Sequence, residues 1–368
     1  MEDLKRAAAA LALVPPAAAR ASCAKMATLR EHVDREMAKY LAIEVLIGFN
    51  SLEILCDQHR YHASFMANVL HFNAFELMAG SLARACQTYH THGFSYDYFP
   101  QEAKAWMRAV SLHLEANSAQ AVNTVYQWWL NHHEDLITLS RGDLTIPLAL
   151  DPLMDQVGEA FLPPLLQGEY RECLHLADRI VTSPETLEDF YLQVIQPCLY
   201  QVGSLWGRAE ITAAQEHLAS AIVARVMAVI YARVEPMNSL KGKAVVTAAP
   251  HDFHELGARI LADCLSLDGW EVDYLGANMP QADLLGFLVG TSPFLVAISL
   301  ALPCNLMETE EIVKGIKSHP YLQETRVMVG GGLFLAYPDL WHATGADGWA
   351  PDAQAAIALA GQWWAGAG

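Results

Sequence analysis

The sequence predicts a multidomain protein with an all-α N-terminal domain, a four-helix bundle and a C-terminal α/β domain. Residues 28–145 place apolar side chains at three- and four-residue spacing, whereas short β-branched runs alternate with helical segments after residue 243. The first pattern indicates packed helices, and the second indicates a parallel sheet with helices on both faces. The 368 residues are enough for roughly two or three domains.

Charge and cysteine content argue against several classes of function. The formal net charge of −18 disfavours a nucleic-acid-binding surface, because phosphates are bound by clustered Lys and Arg. The 7 cysteines are scattered and form no Cys-x-x-Cys pair, so neither a disulfide framework nor a zinc site is predicted, and a reducing cytoplasm fits best. Because no segment approaches the roughly 18 uninterrupted apolar residues of a membrane span, we expect no membrane contact.

The first 27 residues are expected to be a mobile lead-in. Lys5 and Arg6 precede the apolar run Ala7–Val14, which loosely resembles a secretory signal, but Pro15 ends that run early. The acidic residues at the start of the chain also argue against export. We therefore place the first domain boundary after residue 27.

Residues 28–145 are expected to fold as five to seven helices, and more than half of the 15 histidines lie there, close to aromatic residues. One interpretation is a helical core with histidines at its rim. Another is a pocket for a conjugated planar ligand, stacked between aromatic rings and held at its carboxylates by Arg or His. Haem would need only one of the histidines as an axial ligand. The candidate residues for such a ligand are Arg60, His62, His71, Arg84, Trp128 and His132.

Residues 152–235 are expected to form the four-helix bundle. Helical segments separated by proline and glycine signals are predicted at about 155–166, 169–182, 184–203 and 212–234. Ser183 before Pro184 supplies an N-cap and a first-turn proline. Four helices of this size, joined by short loops, pack as a bundle. The linkers on its two sides are Arg141–Pro152 and Glu235–Lys243.

The C-terminal region, residues 243–368, places unusual residues where its predicted strands end. In an open parallel sheet the ligand binds beyond the carboxyl ends of the strands, near the point where the strand order reverses. Glycines at such an end allow the backbone to approach a bulky ligand or simply make a tight turn. The residues at these ends are Asp252, His254, Gly257, Ser299, Leu300, Gly330, Gly331 and Gly332.

The most specific motif is Asp252-x-His254-x-x-Gly257, between the first strand and the helix that follows it. Imidazole is a good ligand for a late first-row metal, and a carboxylate on its other ring nitrogen fixes the tautomer. The motif resembles the signature of cobalamin-binding domains. That resemblance implies a Rossmann-like, flavodoxin-like domain in which His254 is the lower axial ligand of cobalt and Asp252 is its partner. It also implies that the slot for the nucleotide tail is lined by Ser299, Leu300 and Gly330–Gly332.

A second motif comprises Trp206, Glu216 and His217 and lies across the last two predicted helices of the bundle. Nine residues separate Trp206 from Glu216. Taken alone, the tryptophan would plug the bundle and the other two side chains would face solvent. The spacing resembles the helical cap of CarH-type light-sensing cobalamin proteins, which implies that the three side chains surround the adenosyl group of adenosylcobalamin. Gly207 stands where that family has a histidine able to reach cobalt after photolysis, so that route is excluded here.

The N-terminal domain departs from the CarH-type pattern, because it is acidic and aromatic rather than a basic helix-turn-helix. DNA binding is therefore disfavoured. The domain order resembles the photocobilins, in which a globin-like domain binds a linear tetrapyrrole beside the cobalamin module. This resemblance implies a globin-like fold and a biliverdin-type bilin, held noncovalently since no cysteine has a context that suggests a thioether.

Together these resemblances imply a light sensor rather than an enzyme. Photolysis of the cobalt–carbon bond would change the position of the cap, and with it a homo-oligomer or the binding of a separate effector protein. One alternative is a corrinoid methyl-carrier subunit of a methyltransferase system, and another is a haem and cobalamin redox or gas sensor. A charged residue such as Glu216 in the cavity favours the larger adenosyl ligand over a methyl group.

Overall fold

The computed structural model of the protein describes residues 1–142, 144, 151–234 and 241–367. The chain divides into two compact units. The first comprises Met1–Leu144 with Gly207–Ala209, and the second comprises Thr145–Trp206 with Glu210–Gly368. Parts of both predicted linkers lie outside the described residues.

The described part of the first unit is helical. The seven helices from α3 onward occupy the region where the sequence predicts five to seven. The helices of this unit are α1 (Glu2–Ala9), α2 (Pro16–Ala24), α3 (Met26–Met37), α4 (Ile43–Ile47), α5 (Leu52–Phe72), α6 (Phe75–Thr91), α7 (Tyr98–His113), α8 (Ala116–Asn131) and α9 (His133–Ser140).

Residues 1–27 differ from the mobile lead-in that we expected, because they form α1 and α2 and bury apolar side chains. Leu4 and Ala8 on α1 are buried, as are two alanines on α2. The prolines here also start a helix, since Pro16 occupies the first turn of α2, where its missing N–H costs nothing. The Val14 amide between the two helices donates to the Asn73 side chain at 2.7 Å, which ties the segment to the end of α5.

The core of the first unit is rich in aromatic rings. Trp106 on α7 and Tyr126 on α8 stack with ring centroids 6.5 Å apart, and Trp129 lies 6.4 Å from Tyr126. His62 on α5 packs among them, 5.1 Å from Trp106 and 5.4 Å from Trp129. These ring contacts join α5, α7 and α8.

The second unit begins with the helical bundle, whose elements are α10 (Pro152–Gln167), α11 (Tyr170–Ile180), α12 (Pro184–Phe190), a π-helical segment (Tyr191–Ile195), α13 (Gln196–Gly207) and α14 (Ala213–Tyr231). The predicted third helix is thus α12 and α13 joined by a π-turn, in which the Gln196 amide donates to the Tyr191 carbonyl five residues back. Pro197 explains the turn, since it offers no N–H to the carbonyl of Gln193 and the helix widens just before it.

Helix α14 is the one helix within the described ranges that is long and apolar enough, by length and composition, to cross a membrane. Its apolar face includes Ile222, Val226 and Ile230, which are buried in the core of the bundle. A helix packed in a protein core can satisfy the same criterion, and 33% of the apolar stretch of α14 is buried here.

The remainder of the second unit is an α/β domain with a five-stranded parallel sheet in the order β2-β1-β3-β4-β5, the flavodoxin-like order. The strand order reverses at β1, and the register places Ala248 beside Ser299 and Ser299 beside Gly330. The elements are β1 (Lys243–Ala248), α15 (Leu256–Leu267), β2 (Glu271–Tyr274), α16 (Gln281–Thr291), β3 (Leu295–Ser299), α17 (Leu306–Ser318), β4 (Arg326–Gly330), α18 (Gly332–Ala336), α19 (Trp341–Thr344), β5 (Gly348–Ala350) and α20 (Ala353–Ala365).

The bundle and the α/β domain share one hydrophobic core in which α15 contributes Ile260 and Cys264. Two phenols cross the same junction. The Tyr191 hydroxyl donates to Asp263 at 2.9 Å, and the Tyr231 hydroxyl donates to Ser266 at 2.9 Å. The π-turn at Tyr191 therefore lies where the bundle meets α15.

Candidate functional site

The site is centred on the loop between β1 and α15, and its most buried polar group is the carboxylate of Asp252. One oxygen accepts from the backbone N–H of His254 at 3.0 Å and from Nδ1 of the same ring at 2.8 Å. The other accepts from the amides of Ala301 and Leu302, at 2.7 and 3.3 Å, in the loop after β3. Asp252 therefore fastens the histidine loop to the neighbouring strand end.

The imidazole of His254 is 62% exposed although its partner is buried. Because Nδ1 donates to Asp252, the tautomer that fits this geometry leaves Nε2 as the nitrogen that can bind a metal. Within the described residues, no group of three or more His, Cys, Asp or Glu is placed to hold a metal ion. The motif thus presents one imidazole nitrogen, Nε2 of His254, to a ligand.

Electrostatics couple this pair to the helical bundle. Burial alone would raise the pKa of Asp252, but the hydrogen bonds from His254 and the Ala301 amide outweigh it and hold the pKa below its usual value. The pKa of His254 is raised by its hydrogen bond to Asp252, against burial, and further by the charges of Asp252 and of Glu216. The carboxylate of Glu216 in the bundle thus contributes, after Asp252, to the raised pKa of His254.

The other predicted residues at the strand ends pack closely together. A Cβ added at Gly257 would lie 3.8 Å from the Ser299 hydroxyl, and the Leu300 amide donates to the Gly330 carbonyl at 2.8 Å. Gly331 has φ 101°, and a Cβ there would meet the Leu300 carbonyl at 2.6 Å. Its glycine is required by the protein's own backbone, whereas a Cβ at Gly332 would meet nothing within 4 Å. Only the last glycine of the triplet faces open space.

The bundle motif lies at the end of α13 and the start of α14. Trp206 is 37% exposed, so it does not plug the bundle core. Glu216 pairs with Nδ1 of His217 and accepts from the Ser220 hydroxyl at 3.0 Å. The side chain of His217 is 82% exposed. His217 thus lies on the bundle surface, whereas Trp206 and Glu216 are partly covered, and the charge of Glu216 acts on His254.

In the first unit, His62 lies inside the aromatic core. Its Nε2 is 3.2 Å from the Tyr126 hydroxyl and its Nδ1 is 3.7 Å from the Glu102 carboxylate. Burial lowers the pKa of His62, and the charge of Glu102 opposes this only in part. The residue therefore behaves as a neutral histidine of the core.

The other candidate ligand residues of the first unit are dispersed. Trp128 and His132 stack at 4.4 Å at the end of α8, and the buried Nε1 of Trp128 has no hydrogen-bond partner among the described residues. Arg60 is exposed and pairs with Asp57 at 2.7 Å. Arg84 is exposed as well, and His71 lies edge-on to Phe72 at 4.5 Å. Trp128 and His132 are brought together, whereas the two arginines lie on the surface.

Some residues that build the site carried no motif in the sequence. The Ala301 and Leu302 amides act through the backbone, which any residue type supplies. Tyr191 and Asp263 meet across 72 residues of sequence, and the only local signal near them is Pro197 inside a predicted helix. A proline at that position could have indicated an irregular turn, but not its partner.

Fold and site together define a class of protein: a helical bundle packed on a flavodoxin-like domain, with one exposed histidine held by a buried aspartate at the switch point of the sheet. Two family models, both described as B12 binding domain, match the chain, one at residues 164–231 in the bundle and one at 242–358 in the α/β domain. The chain therefore carries a cobalamin-binding module.

The curated relatives fall into two groups. The first group comprises two HTH-type transcriptional repressors of Myxococcus xanthus. CarA is 35% identical over 104 residues, which are 28% of this chain and 34% of CarA. CarH is 32% identical over 123 residues, which are 33% of this chain and 40% of CarH. The chain thus spans about a third of CarA and two fifths of CarH, and the module is CarH-like. Corrinoid protein DSY3155 of Desulfitobacterium hafniense represents the second group, with 21% identity over 213 residues, 56% of this chain and 95% of the relative.

Among solved structures, the monomethylamine corrinoid protein of Methanosarcina barkeri matches with a TM-score of 0.48 and 17% identity. The match covers 56% of this chain and 97% of that protein.

Proposed function

We propose that the protein is a light sensor that binds adenosylcobalamin between the helical bundle and the α/β domain. The observation that carries the proposal is the exposed imidazole of His254, whose Nδ1 is held by buried Asp252 so that Nε2 is left for cobalt. The motif of Trp206, Glu216 and His217 supports it from the bundle, and the charge of Glu216 contributes to the raised pKa of His254. We therefore assign the bundle as the cap of the site.

Each residue of the site has a role in this proposal. His254 is the lower axial ligand of cobalt, and Asp252 keeps Nδ1 protonated and the ring oriented. Trp206, Glu216 and His217 enclose the group above the corrin, and the polar head of Glu216 suits the hydroxyls and amine of adenosine better than a methyl group. When bound, the cofactor supplies a cobalt–carbon bond that visible light breaks.

The cap offers no second imidazole next to its tryptophan, because Gly207 follows Trp206. A cobalt ligand after photolysis would therefore be water, a residue from elsewhere or His217, whose exposed ring lies on the cap motif itself. We assign no catalytic role to these residues. The output of the sensor is a change in a homo-oligomer or in the binding of a separate effector protein in the cytoplasm, without contact with nucleic acid or membrane.

The first unit is proposed to hold a second tetrapyrrole, a biliverdin-type bilin, in a globin-like helical fold. Support comes from Trp128, whose buried Nε1–H has no described acceptor and whose ring stacks on His132. A lactam carbonyl or a propionate of a bilin is an acceptor of the kind that this donor lacks. Haem is the second candidate, because one histidine would be enough to bind it.

The cobalamin proposal is tested by spectroscopy of protein loaded with adenosylcobalamin in the dark and then exposed to green light. We expect an irreversible change of the cobalamin spectrum, accompanied by a change in the mass measured by light scattering. His254→Ala should lose the cofactor on gel filtration, because the lower face of cobalt is left to water. His175→Ala, an exposed histidine on α11, is the matched control and should retain it. Undiminished retention with an unchanged spectrum in His254→Ala would contradict the proposal.

A corrinoid methyl carrier is the alternative favoured by the match with DSY3155, which covers 95% of that corrinoid protein. The two functions differ in the ligand that reacts. A methylcobalamin form that is stable in light and transfers its methyl group to a thiol would replace the sensor proposal. Retention of adenosylcobalamin in preference to methylcobalamin supports the sensor.

The second chromophore is tested by adding biliverdin or haemin to the purified protein. We expect a far-red band with biliverdin, and a Soret band with haemin alone would assign haem instead. Trp128→Phe keeps the ring and removes Nε1–H, so it should weaken bilin binding. Trp364→Phe in the second unit is the control and should bind as the wild type does. Equal binding by both variants would remove Trp128 from the site.

A further inference from the structure

The segment Asp252–His254 is held from the β2 side as well as from the β3 side. The side-chain oxygen of Asn278, in the loop between β2 and α16, accepts from the backbone N–H of His251 at 3.0 Å. The Tyr274 hydroxyl at the end of β2 donates to the carbonyl of Glu255 at 3.1 Å. The two bonds thus reach the residue before the segment and the residue after it.

The His251 end of this arrangement is conformationally demanding. His251 has φ 58° and Asn278 has φ 53°, both in the left-handed region. Asparagine and histidine enter that region more readily than most residues, but a non-glycine residue held there still needs support from its surroundings. The hydrogen bond from the His251 N–H to Asn278 provides that support.

The loop that supplies the two contacts is itself fixed to the sheet. The Gly276 carbonyl accepts from the Ala248 amide at 2.9 Å and from the Thr247 hydroxyl at 3.1 Å. Gly276 has φ 74°, and a Cβ there would lie 3.3 Å from a carboxylate oxygen of Glu255. The β2–α16 loop can therefore act as a rigid support rather than move with the histidine loop.

The Tyr274 hydroxyl keeps the proton that this hydrogen bond requires. Burial raises the pKa of Tyr274, and the charge of Glu255 raises it further. The phenol therefore stays protonated, as a donor to the Glu255 carbonyl must be.

We propose that Asn278 and Tyr274 are positioning residues that aim the His254 imidazole for axial ligation. The proposal rests on the cobalamin function argued above. Asp252 fixes the tautomer of the ring and ties the loop to the β3 side, but none of its bonds reaches the β2 side. We call the hydrogen bonds of Asn278 with His251 and of Tyr274 with Glu255 the clamp. With the clamp in place, the Asp252–His254 segment is held from both neighbouring strands.

The test uses uniformly ¹⁵N-labelled full-length protein loaded with unlabelled cob(II)alamin and measured by electron paramagnetic resonance. An axial ¹⁵N from the protein splits the high-field lines into doublets, whereas the ¹⁴N base of the cofactor splits them into triplets. The fraction of doublets thus reports ligation by His254. The measurement is independent of photochemistry.

In Asn278→Gly and in Tyr274→Phe we expect the ratio of histidine-ligated to other cobalt to fall roughly two- to tenfold, as expected for the loss of one neutral hydrogen bond. Asn278→Asp keeps an acceptor for His251 and should preserve the wild-type ratio. Ser292→Gly, at a left-handed residue with φ 47° at the end of α16, is the matched control for relief of backbone strain. It should leave the ratio unchanged.

Amide hydrogen exchange of residues 250–256 in the cofactor-free protein supplies a second readout. Asn278→Gly should accelerate it several-fold, and Ser292→Gly should not. Wild-type exchange together with a wild-type doublet ratio in Asn278→Gly and Tyr274→Phe would overturn the clamp. Absence of the doublet in the wild-type protein would instead overturn the proposed ligation by His254, and exchange would then decide whether the clamp exists. Circular dichroism of each variant separates these outcomes from misfolding.

Discussion

The two units of the molecule use histidine in opposite ways. His62 in the first unit is itself buried among aromatic rings, and burial lowers its pKa. His254 in the second unit is exposed while its partner Asp252 is buried, and the hydrogen bond between them raises its pKa. A buried ring contributes packing, whereas an exposed ring with a buried anchor has one nitrogen fixed and the other available. The position of the partner, not the number of histidines, therefore indicates a binding site.

The largest effect that would test this comparison is expected from Asp252→Ala. Each hydrogen bond to a charged group contributes about 1.5–3 kcal/mol, and several are lost here, so we expect local stability to fall by about 3–5 kcal/mol. Hydrogen exchange of β1 and α15 peptides measures this in the full chain. Asp283→Ala, at an exposed aspartate on α16, is the control and should change exchange little. Equal effects of the two substitutions would show that Asp252 does not anchor the loop.

A paired substitution of the two histidines sharpens the same contrast. His62→Ala leaves a cavity beside Trp106 and removes a partner of buried Glu102, so α5, α7 and α8 should lose about 2–4 kcal/mol of stability. His254→Ala removes one of the hydrogen bonds to buried Asp252, so it should cost the loop about 1–3 kcal/mol, without an effect on the first unit, while abolishing cobalt ligation. Hydrogen exchange and cofactor retention measure the two effects. Loss of cobalamin by His62→Ala, or unfolding of the loop in His254→Ala, would contradict the assignment of His62 to packing and of His254 to binding.

Much of the second unit was predictable from the sequence because its signals are local. The β-branched runs predict the first, third and fourth strands at residues 244–248, 295–299 and 326–330, and the structure has them at Lys243–Ala248, Leu295–Ser299 and Arg326–Gly330. Alternation with helices then implies parallel pairing, and parallel pairing brings the carboxyl ends of β1, β3 and β4 together. The meeting of Asp252 and His254 follows from a spacing of two residues.

The parts that could not be predicted depend on distant or backbone partners. Nothing in the sequence pairs Tyr191 with Asp263, or Asn278 with the amide of His251. Composition, the only signal of a ligand site in the first unit, was a weaker guide than the motif spacing in the second unit. A cluster of His, Trp and Tyr fits a packed core as well as a ligand pocket, and the structure places His62 in the core.

The junction between cap and base offers a test by pH. Burial raises the pKa of Asp263 from 3.8 to about 6, and the hydrogen bond from Tyr191 offsets only part of this shift. The folded state then binds the proton more tightly than the unfolded state, so stability is greatest at low pH and falls as the pH rises from about 4 to 6. The loss should be about 1–3 kcal/mol, and neutral Asp263→Asn should remove it while keeping an acceptor for Tyr191.

Calorimetric unfolding at several pH values measures the effect as a shift in the unfolding temperature of the second unit. Glu324→Gln, at an exposed glutamate, is the control and should retain the wild-type pH dependence. A wild-type pH profile in Asp263→Asn would show that the charge of Asp263 does not oppose docking of the cap. The first unit should unfold with the same pH dependence in all three proteins.

The smallest expected effect concerns the start of α14, which carries the cap motif. Thr212 accepts from the Gln215 amide at 3.2 Å and the Gln215 side chain accepts from the Thr212 amide at 3.0 Å, a capping box one residue before Glu216. Thr212→Ala should cost about 1 kcal/mol and fray this turn, and Thr212→Ser should restore it. Ser51→Ala at the start of α5 removes a similar cap in the first unit.

The two N-cap variants, Thr212→Ala and Ser51→Ala, should differ in their effect on the pKa of His254. Because the charge of Glu216 raises the pKa of His254, fraying in Thr212→Ala should lower that pKa, as measured by NMR titration of the cofactor-free protein. Ser51→Ala should lose similar local stability without moving it. An unchanged pKa in Thr212→Ala would mean that Glu216 does not face the histidine, and the cap motif would then have no electrostatic connection to the base.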